Sequence, residues 1–163
     1  MAENEKNIKT QIHNLKQGAA HTSYNPSKKE TNILITHFNA QSFNVEKLEQ
    51  LKLELSANSS DPDIMGISET WWNSKTQDNL MQIIGYNCFR QDREDTNKSR
   101  GGGVCIYVKQ DYSCKLMKHP FQRPVEIDDI WIQVQIRKFK SIIIGMTYRA
   151  PDTKRTQKNV LSY

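Results

Sequence analysis

Nowhere in this 163-residue sequence is there an apolar run long enough to cross a bilayer. The first ten residues, MAENEKNIKT, are charged where a signal peptide would be apolar. The three cysteines, Cys88, Cys105 and Cys114, are odd in number and form no Cys-x-x-Cys pair, which argues against a disulfide framework and against a zinc ribbon. Histidine is scarce too: none of the four, His13, His21, His37 and His119, has an aspartate beside it in sequence. No internal repeat or low-complexity block is present. These absences lead us to expect a soluble intracellular protein, neither secreted nor membrane-bound. The length suits one domain with a real core. The formal net charge of +5 is a modest excess, compatible with an anionic partner such as nucleic acid.

What is present organises the chain. Residues 1–30 are polar, with one aromatic side chain (Tyr24) and the turn-like Asn25-Pro26-Ser27, the composition of a disordered arm. Ile33, Leu34, Ile35 and Phe38 predict a strand over Ile33 to Phe38 that is covered on both faces. Val45, Leu48, Leu51 and Leu55 then fall on one helical face, with Asn44 placed to cap the helix and Glu46 in its first turn. Asp61-Pro62-Asp63 breaks the chain before a second apolar run, Ile64 to Ile67. Strand, helix, strand at this spacing predicts a right-handed crossover and two parallel strands. After Trp72 a short helical segment is expected around Asp78 to Ile83, and the pattern then turns to antiparallel hairpins. YNCFR and GVCIYVK flank the polar loop QDREDTNKSRGG, and YSCKLM is a short strand. DIWIQVQI places Ile130, Ile132, Val134 and Ile136 on one face and Trp131, Gln133 and Gln135 on the other, ahead of a final strand SIIIGMTYR.

Parallel first strands would bring Asn39 and Glu69 to the same sheet edge, about 5 Å apart. Ligands bind at that edge in open α/β sheets. A carboxylate there can hold a hard cation, and an amide can orient the cation or a phosphate; an exposed loop acid and a turn-forming asparagine fit the position equally well. Of Trp71 and Trp72, one is expected to close the core beneath the site and the other to be half exposed. Arg90, Arg93, Lys98 and Arg100 gather around the polar loop and could meet phosphates. The alternative is a solvated loop in which Asp92, Glu94 and Asp95 cancel much of that charge. His37 shares strand parity with Asn39 and is expected to be a hydrogen-bonded structural residue.

FNAQSF, PDIMGISETWW, GYNCFRQDR, RGGGVCIYVK, EIDDIWIQV and GMTYRAPDT occur in this order and spacing over Ile33 to Asp152. In this succession the chain resembles the N-terminal half of the endonuclease domain of non-LTR (LINE-type) retrotransposons, within the endonuclease/exonuclease/phosphatase superfamily. The resemblance implies an α/β sandwich of that type, first half only, with a mixed sheet and flanking helices. It implies a partial domain over residues 31–153 and a tail over 154–163. The implied parent activity is magnesium-dependent (or manganese-dependent) nicking of DNA phosphodiesters for target-primed reverse transcription. Asn39, Glu69 and Tyr148 match the family's catalytic positions, with Glu69 the metal ligand; Arg93, Arg100 and Arg149 are the candidate DNA contacts.

The chain also departs from the family. Some relatives carry an acid where Gln41 stands, which removes one carboxylate ligand. The family's later Gly-Asp-Phe-Asn and Ser-Asp-His motifs, which prepare the attacking water, do not occur; Asp95-Thr96-Asn97 sits in a charged loop and is no substitute. The fragment is therefore expected to hold its metal weakly, to be inactive in cleavage, and to lack the second sheet, so that it would be marginal, aggregate, or recruit a protein partner over an exposed sheet face. The competing reading is a non-catalytic DNA- or protein-binding module derived from a retroelement.

Overall fold

The computed structural model describes residues 32–57, 61–93, 101–118, 127–137 and 140–149. The expected polar arm, the tail, Lys98, Arg100 and the Asp95-Thr96-Asn97 segment lie outside the described residues. Strand β1 (Ile35–Asn39) leads into helix α1 (Val45–Ser56) and then strand β2 (Ile64–Ser68). A 3-10 turn at Asp78–Met81 precedes β3 (Tyr86–Gln91), β4 (Val104–Lys109), β5 (Cys114–Leu116), β6 (Ile127–Arg137) and β7 (Lys140–Arg149). The fold is mixed α/β. One sheet has the order β1-β2-β4-β3, with β1 and β2 parallel and the remaining pairs antiparallel. The other is antiparallel, in the order β5-β6-β7.

Two local readings move slightly. The first strand begins at Ile35 rather than Ile33, because Leu34 is occupied: its N–H donates to the Asp63 carboxylate at 2.9 Å, and its carbonyl accepts from Asp63 and Ile64. Helix α1 starts where Asn44 caps it, the Asn44 Oδ1 accepting from Lys47 N at 3.0 Å. Leu48 and Leu51 are buried, whereas Val45 is 46% exposed. At 100° per residue Val45 sits about 60° away from Leu48, at the margin of the apolar stripe.

The inner strands β2 and β4 are covered on both faces, which explains their continuous apolar runs. Strand β1 lies at the edge of the sheet with Ile35 51% exposed, so the expectation that the first strand is covered on both faces is corrected. Cys105 and Tyr107 of β4 face α1, Phe43, Trp72 and Met81, while Val104, Ile106 and Val108 face the other sheet. There they meet Ile130, Ile132 and Val134 of β6 and Met146 of β7. Val104, Ile106 and Val108 are fully enclosed, each contributing about 1.5–3 kcal/mol through burial. The expectation that the second sheet would be missing is thus corrected. The alternation of β6 supplies an apolar inner face, and hairpin β6–β7 lays it over the first sheet. Ile136, where the register shifts between Gln135 and Arg137, is only half buried. The outer face of this sheet carries exposed Ile143, and no helix among the described residues covers it. No helix among the described residues is long and apolar enough to cross a membrane.

Candidate functional site

The parallel register pairs Asn39 with Ser68, so Glu69 follows immediately past the end of β2, on the edge where β1 ends. The two chains stay joined beyond their strands. Ala40 N donates to Ser68 O, Ser42 N to Glu69 O and Phe43 N to Thr70 O, each at 2.9 Å. This junction is held in an uncommon backbone state: Gln41, Ser42, Glu69 and Trp71 have φ of 46°, 78°, 54° and 59°. Left-handed backbone costs a non-glycine residue about 1–2 kcal/mol, and such strain collects where a side chain must be aimed. Lys47, one turn into α1, clamps the same junction, its ammonium donating to Ala40 O at 2.7 Å and Gln41 O at 2.9 Å.

These constraints bring three expected site residues together. Asn39 Nδ2 donates to Glu69 Oε1 at 2.6 Å, and Asn39 Oδ1 accepts from Gln41 N at 3.0 Å, which sets the orientation of the amide. Tyr148, near the end of β7, approaches Glu69 from the second sheet, close enough for the carboxylate to act on its phenol. Burial, then the neighbouring Glu69 carboxylate, push the Tyr148 phenol up to about 12, so it is a protonated donor at neutral pH.

Around this cluster lies a group that the sequence did not single out. Asp128 is buried, and its Oδ2 accepts from Gly103 N at 3.0 Å, Arg93 Nε at 3.1 Å and an Arg93 terminal nitrogen at 3.0 Å. Arg93, proposed from sequence as a DNA contact, thus turns its guanidinium inward, with its Cζ 5.8 Å from the centroid of the Tyr148 ring. Gly103 O and Gly102 O accept from Thr70 N and Trp71 N, the two residues that follow Glu69. Only glycine suits position 102, where φ is +79° and a Cβ would overlap the Arg93 guanidinium and lie 2.5 Å from Asp128 Oδ2. One signal was present in the sequence: Asp128 shares strand parity with Ile130, Ile132 and Val134, so its carboxylate had to face inward.

The remaining candidates fall to either side of the site. Arg90 is engaged by Asp92, by Asp78 at 2.8 Å and by the carbonyls of Thr76 and Asn73, with its Cζ 5.5 Å from the Trp72 ring centroid. Trp72 is buried and donates to Phe43 O at 2.6 Å, while Trp71 is half buried, as the sequence led us to expect. His37 Nε2 lies 3.3 Å from Ser68 Oγ, and burial lowers its pKa. Arg149 is exposed at the end of β7.

Among the described residues no group of three or more His, Cys, Asp or Glu side chains could hold a metal ion. The donor set at the strand ends is one carboxylate, Glu69, oriented by the Asn39 amide, whose nitrogen faces it and whose oxygen accepts from Gln41 N. That set fits a hard cation which keeps most of its water and takes the rest of its ligands from phosphate, as magnesium does. It does not fit zinc, which favours nitrogen and sulfur ligands.

No family model matches the chain, and no curated protein matches it. Among solved structures it is similar to the human Nocturnin catalytic domain with bound sulfate anion, at 16% sequence identity and a TM-score of 0.49. The match covers 71% of this chain and 49% of that one, so the chain spans about half the length of that domain.

Proposed function

We propose that the strand-end site is the metal- and phosphate-binding half of a magnesium-dependent phosphodiesterase centre of the endonuclease/exonuclease/phosphatase type, and that its substrate class is DNA. The observation that carries this reading is the Asn39–Glu69 hydrogen bond at the paired strand ends, with Tyr148 of the second sheet brought up against the same carboxylate. The succession from FNAQSF to YRAPDT supports a non-LTR retrotransposon origin. Glu69, oriented by Asn39, would hold the cation, which when bound would stabilise charge developing on the attacked phosphate. The protonated Tyr148 hydroxyl is suited to donate to a phosphate oxygen, and Arg149, exposed beside it, to meet a neighbouring phosphate.

Among the described residues, activation of water is the part without a candidate. His37 is the one histidine among the described residues, and its partner is the Ser68 hydroxyl rather than an aspartate. Loss of general acid-base help costs about 10² to 10⁴ in rate. We therefore infer that this polypeptide by itself binds DNA without cleaving it appreciably. A plasmid-nicking assay with magnesium, run on monodisperse protein beside Glu69→Ala, tests the activity. Manganese titration followed by paramagnetic NMR broadening tests the site: signals around Glu69 should broaden in the wild type and not in Glu69→Ala. Equal broadening in both removes the metal site, and magnesium-dependent nicking that is lost in Glu69→Ala overturns the inference of inactivity.

A further inference from the structure

We propose that Asp128 and Arg93 act together as a positioning pair that holds Glu69 and Tyr148 in place, and that Arg93 is not a DNA contact. The proposal rests on the strand-end site being a metal and phosphate site, and it names what keeps that site assembled.

Two routes run from the Asp128 carboxylate to Glu69. The first passes through backbone. Asp128 Oδ2 holds Gly103 N at 3.0 Å, and the carbonyls of Gly103 and Gly102 receive Thr70 N at 3.2 Å and Trp71 N at 3.0 Å. The glycine loop thereby fixes the residues just after Glu69, whose own backbone is left-handed at φ 54° and would otherwise relax. The second passes through side chains. Both Arg93 donors on Asp128 hold the guanidinium over the Tyr148 ring, and Tyr148 in turn stands against the Glu69 carboxylate. Tyr148 also stands directly across from Asp128 in the β6–β7 ladder, so one carboxylate governs both the ring's neighbour and its strand partner.

Burial makes the pair interdependent. The Arg93 and Asp128 side chains are 13% and 6% exposed. A carboxylate so enclosed needs its cation, and the cation in turn needs the fork geometry that an ammonium lacks. An arginine serving DNA would instead present its donors outward. Here the fork is turned to Asp128, and the space a side chain at position 102 would need is filled by the guanidinium.

The test uses the full chain and four variants: Arg93→Gln, Arg93→Lys, Asp128→Asn and the core control Val134→Ala. Asp128→Asn keeps an oxygen for the Gly103 amide and so remains informative if a harsher change unfolds the protein. Thermal melts establish that each variant is folded. Manganese affinity at Glu69 should fall about tenfold or more in Arg93→Gln and Asp128→Asn, the usual effect of removing a group that orients a metal ligand. Arg93→Lys should restore it only in part. Val134→Ala should melt earlier yet bind manganese as the wild type does, which separates positioning from general stability. In the metal-free protein, the Tyr148 ring and Glu69 amide resonances should shift in Arg93→Gln and stay put in Val134→Ala. Folded Arg93→Gln with unchanged resonances overturns the pair. A wild type that binds no manganese refutes the metal reading alone, because the metal-free resonances still decide the positioning.

Discussion

Gly85 and Gly102 have nearly the same backbone, with φ of +83° and +79°, and very different surroundings. Around Gly85 a Cβ would meet nothing within 4 Å, whereas at Gly102 it would collide with the Arg93 guanidinium and Asp128 Oδ2. The two alanine substitutions therefore share the left-handed penalty of about 1–2 kcal/mol. They also share the small gain from a stiffer unfolded chain, about 0.4–1 kcal/mol. Gly102→Ala must in addition push apart a buried ion pair, and breaking such a pair costs about 3–5 kcal/mol. A partial shift of the loop would recover some of this, so the excess over Gly85→Ala should be about 2–4 kcal/mol, a large share of the 5–15 kcal/mol that holds a typical domain together. Urea unfolding measures it: with a slope of about 2 kcal/mol per molar, the midpoints of the two variants should differ by about 1–2 M. Midpoints within about 0.3 M of each other would refute the argument that Arg93 and Asp128 enclose position 102.

Two further outcomes follow from the same geometry. Tyr148 is protonated in the folded state up to about pH 12, against an ordinary value near 10. Its folded pKa is raised, so its contribution to stability is fully present below about pH 10 and is lost as pH rises towards 12. Chemical denaturation across that window should show a shallower decline in Tyr148→Phe than in the wild type, and parallel declines would contradict the assignment. Lys47→Met removes two charge-assisted bonds to the carbonyls of Ala40 and Gln41. This should cost about 1–3 kcal/mol and speed amide exchange at Ala40, Ser42 and Phe43 ahead of the rest of the first sheet. Uniform acceleration would mean that Lys47 contributes only general stability.

Local pattern was sufficient wherever a residue's partner lies in its own or the next element. Asn44 caps α1 because the cap is a three-residue event, and β1 and β2 run parallel because a helix of this length allows little else. The placement of Glu69 at the sheet edge follows from that crossover, and Tyr148 entered only through the family resemblance, since β7 must first fold onto β6 before its end reaches the first sheet. The second sheet was missed because alternation along β6 reports that one face is buried and says nothing about which surface buries it. Lys47 was missed for a related reason: on a helix surface it reads as a solvated charge, and only the left-handed junction after β1 turns two carbonyls towards it.

Arg93 and Asp128 lie 35 residues apart, and the loop around Arg93 offers the nearer acids Asp92, Glu94 and Asp95 as sequence partners. Proximity in sequence favoured a solvated, self-cancelling loop; the ladder decides otherwise. With Ile130, Ile132 and Val134 inward, parity forces Asp128 inward as well, and an enclosed carboxylate must find a cation or several N–H donors. Its β7 neighbour, Tyr148, supplies neither cation nor N–H. The donors have to come from the first sheet, at the level where β3 ends and β4 begins, and there the chain holds Arg93 and the glycines that let it approach. Glycine at 102 is thus the sequence mark of the pair. It is required where a guanidinium crosses the backbone, and a reading that begins from inward-facing acids and asks what could neutralise them arrives at Arg93 before it arrives at DNA.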